Sequence, residues 1–233
     1  MKLKLVGEKE EAPGVKSFLW EPETKTVWEP GQYYYFTLPA LKYPDVKGNV
    51  RHFTISSSPT EGGIMMLTTK IREISGYKKT MDELPIGTEV EGEGPNGSFK
   101  LDENSEIPNI FIAGGIGITP YRSMIKYIID TNKQTPIYLI YSNSDESFIF
   151  GKELQDISKS NSNIKIDFYD SSKMGHLDKT KIITILERWG LKDWKKDSWW
   201  VCGPPNMTRA IEDVLGWLDI TSDHIRSERF TGY

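Results

Sequence analysis

The run Phe111-Ile112-Ala113-Gly114-Gly115-Ile116-Gly117-Ile118-Thr119-Pro120 carries an apolar strand straight into a glycine turn and then into a helix. Glycines at such a turn let the backbone approach a pyrophosphate closely, and the N-terminus of the following helix favours negative charge. Pro120 suits the first helical turn, where its missing N–H costs little. The third position of a dinucleotide-binding fingerprint is ordinarily Gly or Ala, so Gly115-x-Gly117-x-x-Pro120 departs from the common form. Without a ligand, the same run reads as a tight strand–helix connection.

The grammar of the chain changes just before this run. From Asn109 onward, strand patterns at Ile110–Ala113, Ile137–Tyr141, Ile164–Tyr169, Trp199–Cys202 and Ile225–Arg229 alternate with helical patterns at about 120–131, 150–160, 179–189 and 205–218. Five strands alternating with helices predict a doubly wound, five-stranded parallel sheet. Residues 1 to about 100 instead show short alternations at Lys2–Val6, Val15–Trp20, Gln32–Leu38, Val50–Ile55, Ile64–Ile71 and Glu89–Glu93, punctuated by Pro13-Gly14, Pro30-Gly31, Gly48-Asn49 and Gly62-Gly63. That spacing predicts a small antiparallel β-barrel with one helix, from about Gly76 to Leu84. The polar stretch Asp102-Glu103-Asn104-Ser105-Glu106 separates the two, giving expected domains of residues 1–102 and 103–233.

Composition narrows the function classes. A net charge of −4 and a pI near 5.5 argue against a nucleic-acid surface. No stretch approaches the ~20 apolar residues of a membrane span. The single cysteine excludes a disulfide framework or a four-cysteine iron–sulfur cluster within this chain, and three scattered histidines offer no metal site. A reducing, cytoplasmic setting is expected.

A second segment with chemical content is Arg51-His52-Phe53-Thr54-Ile55-Ser56-Ser57. On an extended strand Arg51 and Phe53 share one face, and Thr54 and Ser56 the other. A guanidinium, an aromatic ring and hydroxyls so placed suit a flavin dinucleotide; as a plain edge strand the run needs no ligand. The motif resembles the Arg-x-Tyr/Phe-Ser/Thr flavin motif of the ferredoxin–NADP reductase superfamily, and further segments match that superfamily in order. The glycine turn at Gly114, Gly115 and Gly117, with Thr119 and Pro120, resembles its nicotinamide-dinucleotide turn. Val201-Cys202-Gly203-Pro204-Pro205-Asn206-Met207 is similar to its Cys-Gly-x-x-x-Met segment, beside the nicotinamide. Nothing near Cys202 in sequence activates it as a nucleophile. Ser227-Glu228-Arg229-Phe230-Thr231-Gly232-Tyr233 matches the Glu-x-aromatic ending of the last strand. Ser75-Gly76-Tyr77-Lys78 is the loosest match, to a Gly-x-x-Ser turn whose helix N–H groups hold the flavin pyrophosphate. Lys78 falls where the hydroxyl is expected.

The resemblance implies an FAD-dependent NAD(P)H oxidoreductase. Arg51 and the start of the helix at Ser75–Lys78 would hold the pyrophosphate, Phe53 would lie by the flavin, and Thr54 and Ser56 would offer hydroxyls. Cys202 and Glu228 would flank the hydride path, and Phe230 would cover the flavin face, with Tyr233 as its rival. Electrons would pass to a separate acceptor protein, such as a ferredoxin, flavodoxin or oxygenase, or to a small acceptor. Three other readings stay open: a free flavin or quinone reductase, a non-catalytic flavin electron-transfer or regulatory module, and a flavin-free dehydrogenase. NADH is favoured over NADPH, because Ser142-Asn143-Ser144-Asp145-Glu146, after the second strand of the nucleotide domain, holds two carboxylates and no Arg or Lys. Lys152 and Lys173 are the basic residues able to reach that loop from elsewhere.

Overall fold

The computed structural model describes residues 1–101 and 107–231. The expected domain boundary at Asp102–Glu106 and the rival ring Tyr233 both lie outside the described residues. Contacts divide the described residues into two compact units, one of residues 1–101 with 119–131, the other of residues 107–118 with 132–231.

In the first unit, strands β1 (Lys2–Ala12), β2 (Val15–Pro22), β3 (Tyr33–Thr37), β4 (Val50–Thr54), β5 (Met65–Lys70) and β6 (Glu89–Asn96) form one antiparallel sheet in the order β4-β3-β6-β1-β2-β5. The sheet curls until its two edges meet. An antiparallel bridge joins Ile55 to Leu67, and the Ser56 N–H donates to the Met66 carbonyl at 2.8 Å. Closure of this kind removes exposed edges. The period-2 pattern sets what goes inside: Leu3, Leu5, Phe18, Trp20, Tyr34 and Phe36 are fully buried. Helix α1 (Gly76–Asp82) adds Tyr77 and Met81 to that core. β1 runs well past the predicted end at Val6. A register shift between Leu5 and Gly7 lets pairing with β2 continue through the charged Glu8–Glu11, which remain mostly exposed and so show no apolar alternation.

Helix α2 (Thr119–Asp130) packs within this same unit. The Arg122 guanidinium reaches both carboxylate oxygens of Glu61, at 2.9 and 3.0 Å, and the Ser56 carbonyl at 2.9 Å. The Ser123 hydroxyl donates to the Ser57 carbonyl at 2.7 Å.

In the second unit, β7 (Asn109–Gly114), β8 (Ile137–Asn143), β9 (Ile164–Asp170), β10 (Ser198–Gly203) and β11 (Ile225–Arg229) make a parallel sheet in the order β11-β10-β7-β8-β9. β7, β8 and β9 step outward in sequence order, and the chain then returns to place β10 on the other side of β7. The strand order therefore reverses between β7 and β10, the crevice where open parallel sheets bind ligands at their carboxyl ends. Helices α3 (Gly151–Ser160), α5 (Lys179–Arg188) and α6 (Pro205–Trp217) fall within a residue or two of the predicted spans. The additional turn α4 (Ser171–Met174) was not predicted; it is one helical turn capped by the Asp170 carboxylate, too short for a periodic signal. Among the described residues no helix is long and apolar enough to cross a membrane.

Candidate functional site

In the first unit, β4 turns Arg51 and Phe53 inward, at 4% and 9% exposure, while His52 points out. Phe53 packs against Phe36 and Tyr77. Thr54 is buried as well, ending the alternation where the chain leaves β3 and bridges toward β5. Its hydroxyl makes no hydrogen bond to any described residue. Ser56, expected beside it, is fully buried, and its hydroxyl is taken by the Met66 carbonyl at 2.9 Å and by Thr68 at 2.7 Å. It serves the barrel core.

Arg51 was expected to face a phosphate; within the chain it faces a carboxylate. Its Nη2 donates to Asp45 Oδ1 at 2.5 Å, and its Nη1 to the carbonyls of Lys47, Gly48 and Val50 at 2.9, 3.0 and 2.6 Å. Asp45 Oδ2 accepts from the Tyr77 N–H at 3.0 Å and the Ser75 hydroxyl at 3.2 Å, and its Oδ1 also from the Lys47 N–H at 3.0 Å. Burial opposes ionisation of Asp45, but these N–H groups, Arg51 and Ser75 outweigh it and hold the carboxyl below its ordinary range.

The start of α1 is thus occupied by the chain itself. Ser75 caps the helix, accepting from the Lys78 N–H at 3.3 Å, while the Tyr77 N–H is spent on Asp45. Gly76 lies so close to the Pro44 carbonyl that a Cβ would come within 2.2 Å of it. The Tyr77 hydroxyl donates to the Phe36 carbonyl at 2.9 Å, and burial pushes its ionisation far upward. Lys78 differs from all of these. It is 6% exposed, its ammonium meets no carboxylate or carbonyl among the described residues, and burial pushes its pKa down to about 8.

Asp45 was missed in the sequence, since an aspartate after Tyr43-Pro44 in a polar loop looks like an ordinary solvated turn residue. Glu61, in a polar loop, and Arg122, on the helical pattern at 120–131, hold the loop following β4 and were missed too, since neither local pattern records their pairing.

In the second unit, the turn Gly115–Ile118 follows β7 directly and leads to Thr119 and Pro120, both buried at the start of α2. The glycines divide their work. Gly117 allows close packing: a Cβ there would lie 2.2 Å from the Cys202 carbonyl oxygen. Gly114 and Gly203 pack likewise against each other and Met207. Gly115 has φ of +52°, and a Cβ on it would meet only Asn143 Oδ1 at 3.7 Å. Space therefore lies open in front of Gly115, at the carboxyl end of β7.

Across the reversal in strand order, Cys202, one residue before the end of β10, is in register with Glu228 of β11. Cys202 is fully buried; burial, then the neighbouring carboxylate, push its thiol up, leaving it protonated. Glu228 Oε2 is buried without a hydrogen-bond partner, and burial pushes this carboxyl up to about 7. The Phe230 N–H donates to the Gly203 carbonyl at 2.9 Å, continuing the β10–β11 pairing beyond Arg229.

At the carboxyl end of β8, Asn143 donates to Asp145 Oδ1 at 3.1 Å. Lys173 does reach this loop, but it is ion-paired with Glu146 and lies 3.7 Å from Asp170.

The cofactors implied by the resemblance fit these residues. Lys78 and Thr54, whose polar atoms make no ion pair or hydrogen bond among the described residues, suit a phosphorylated flavin in the first unit. The open position before Gly115 suits a dinucleotide in the second.

Comparison with known proteins agrees with this geometry. Residues 111–213 match the family model for the oxidoreductase NAD-binding domain. Flavohemoprotein A of Dictyostelium discoideum is 25% identical over 95% of this chain and 58% of its own length. An NADPH oxidoreductase of Mycobacterium tuberculosis is 26% identical over 87% of this chain and 52% of its own. The chain thus spans just over half the length of these curated relatives. Among solved structures, the FAD/NAD-binding domain of nitric oxide dioxygenase from Vibrio cholerae superposes with a TM-score of 0.82 at 18% identity, covering 98% of each chain. Ferredoxin–NADP+ reductase from Plasmodium falciparum with 2′P-AMP gives a TM-score of 0.80 at 21% identity, covering 98% of this chain and 95% of its own. These structural likenesses establish the two-part fold.

Proposed function

We propose that this chain is an FAD-dependent NAD(P)H oxidoreductase of the ferredoxin–NADP reductase type that hands electrons to a separate acceptor. The observation that carries the reading is the pairing of Gly115 and Cys202-Gly203 at the carboxyl ends of β7 and β10, on either side of the point where the strand order reverses. A plain strand–helix connection needs no open space in front of a left-handed glycine.

Bound together, the cofactors would supply hydride transfer from nicotinamide C4 to flavin N5. The chain's own part is binding, positioning and proton control. The Thr54 hydroxyl would hydrogen-bond the flavin near N5. The backbone at Gly115 would admit the dinucleotide. Cys202, kept as a neutral thiol, would pack at the nicotinamide end, and Glu228 would hold a proton at a carboxyl oxygen below about pH 7. Phe230 is the ring that nicotinamide would displace.

NADH is the preferred donor in this reading. The basic residue that reaches the loop after β8 is Lys173, and Glu146 and Asp170 already neutralise it. A 2′-phosphate would have to break that pairing and meet the two carboxylates. The acceptor in this reading is a protein or a small molecule; the single cysteine supplies no four-cysteine cluster among these residues.

The test is the visible spectrum of the purified protein with FAD, followed anaerobically as NADH or NADPH is added. Bleaching of the flavin band is expected, faster with NADH. A protein that takes up no FAD would sink the reading. Bound flavin that neither nucleotide bleaches would leave the non-catalytic electron-transfer module in its place.

A further inference from the structure

Helix α2 begins where the glycine turn after β7 ends, yet it packs within the first unit. Thr119 to Ile125 are all buried, so its first two turns are covered on every side. Part of that packing is apolar. Tyr121 meets the ring of Phe99, and a Cβ on Gly31 would come within 2.6 Å of Met124 Cε. The rest is a polar clamp on the loop that follows β4. The Arg122 guanidinium takes both oxygens of Glu61 and the Ser56 carbonyl. Glu61 Oε2 also accepts from the Ser58 N–H at 2.6 Å. Ser123 holds the Ser57 carbonyl, and Asp130, at the far end of the helix, takes the Thr60 hydroxyl at 2.5 Å. The Arg122–Glu61 pair is largely out of water, its side chains 9% and 26% exposed.

A buried ion pair is a poor source of stability, because desolvation offsets most of its attraction and apolar residues of like volume do as well or better. What a bidentate pair supplies is geometry, since the planar guanidinium fork matches a carboxylate in a fixed orientation. Here that geometry joins two points close to the chemistry. Ser56 lies two residues after Thr54, and Arg122 five residues after Gly117. We propose that Arg122 is a positioning residue for hydride transfer: through Glu61 and the Ser56 carbonyl it fixes the start of α2, and the glycine turn that leads into it, to the end of the flavin strand. This rests on the flavin reading above and deepens it. Arg122 acts through the loop and the helix, so its effect falls on the alignment of hydride donor and acceptor more than on the affinity for either cofactor. A misplacement of about 1 Å between reacting groups can cost about a hundredfold in rate.

The test is stopped-flow reduction of the FAD-loaded protein by NADH or NADPH, whichever is faster with the parent. Dissociation constants for FAD and the nucleotide, and the melting temperature, are measured alongside. Replacing both members, Arg122→Met with Glu61→Met, exchanges the pair for apolar side chains of similar length, so folding should be retained. At saturating nucleotide the flavin of this double variant should be reduced about ten- to a hundredfold more slowly, with both dissociation constants within about twofold of the parent. Arg122→Lys keeps the charge and loses the fork, and its rate should fall between the two. Across the cycle of both single variants and the double, the losses in the logarithm of the rate should be far from additive, because the two residues act as one unit. A folded double variant or a folded Arg122→Lys that is reduced at the parental rate overturns the proposal. So does a slower rate matched by weaker cofactor binding or a lower melting temperature, which would make the pair structural. Both outcomes leave the flavin reading intact. A parent that takes up no FAD, or whose flavin neither nucleotide reduces, overturns the flavin reading itself.

Discussion

Arg51 and Asp45 form an ion pair of 2.5 Å in which neither side chain exposes more than 6% of its surface. The pair ties the loop before β4 to the first turn of α1, because the second oxygen of Asp45 takes the Tyr77 N–H. A residue type that suggests phosphate binding thus has a structural partner already in place.

Removing either member should therefore cost stability. Arg51→Met or Asp45→Asn leaves a buried charge without its partner, a loss of about 3–5 kcal/mol. Replacing both should cost less than the sum of the two single changes. Urea unfolding of the three variants measures this. An Arg51→Met protein as stable as its parent would show that the pair is not structural. Asp45 also sets an acid limit: its folded pKa is depressed, so its contribution is present above the ordinary carboxylate range and lost as pH falls through the lowered value.

Gly115 and Gly117 should respond differently to alanine. At Gly117 the new Cβ would lie 2.2 Å from a backbone oxygen of β10, so the two segments must separate. Overpacking of this kind costs about 1–3 kcal/mol or more. At Gly115 there is room, and the cost is the left-handed backbone, roughly 1–2 kcal/mol. Gly115→Ala should fold and lose NADH affinity; Gly117→Ala should be visibly destabilised. Calorimetry paired with NADH titration separates them, and a Gly115→Ala protein with unaltered NADH affinity would remove the turn from the binding site.

Glu228 predicts a pH dependence with a definite sign. Burial raises its folded pKa to about 7, above its unfolded value. Between the ordinary glutamate range and about 7 the folded state holds the extra proton, so stability from this group falls as pH rises through that window. Glu228→Gln should flatten the slope. Denaturation midpoints measured across the window decide it; an identical slope in the variant would assign the dependence to another group.

Lys173 is held by Glu146 and Asp170, which predicts a route to altered nucleotide preference. Glu146→Gln removes one of the two carboxylates and frees the ammonium to meet a 2′-phosphate. The ratio of kcat/KM for NADPH over NADH, measured with ferricyanide as acceptor, should rise. About tenfold corresponds to one charge-assisted contact near the low end of its range. No change would mean that Lys173 does not reach the ribose.

What the sequence alone determined was local. Alternation at Leu3, Leu5, Phe18, Trp20 and Phe36 specifies strands with one buried face. The run from Phe111 to Pro120 specifies a strand, a turn and a helix, because the conformational demands of glycine and proline act over a few residues. The switch from period 2 to strand–helix alternation specifies two kinds of sheet. The tertiary structure decided what each chemically suggestive residue touches. Arg51 looks the same in sequence whether it faces a phosphate or Asp45, and Ser56 the same whether its hydroxyl is free or bonded to Thr68. Gly117 is needed because the Cys202 carbonyl, from a strand much later in the chain, passes beside it. Lys78 lost most of its exposure only when α1 packed onto the barrel. Hydrogen bonding and charge compensation are settled between segments distant in the chain, and they act over a few ångströms in space, so no local pattern records them.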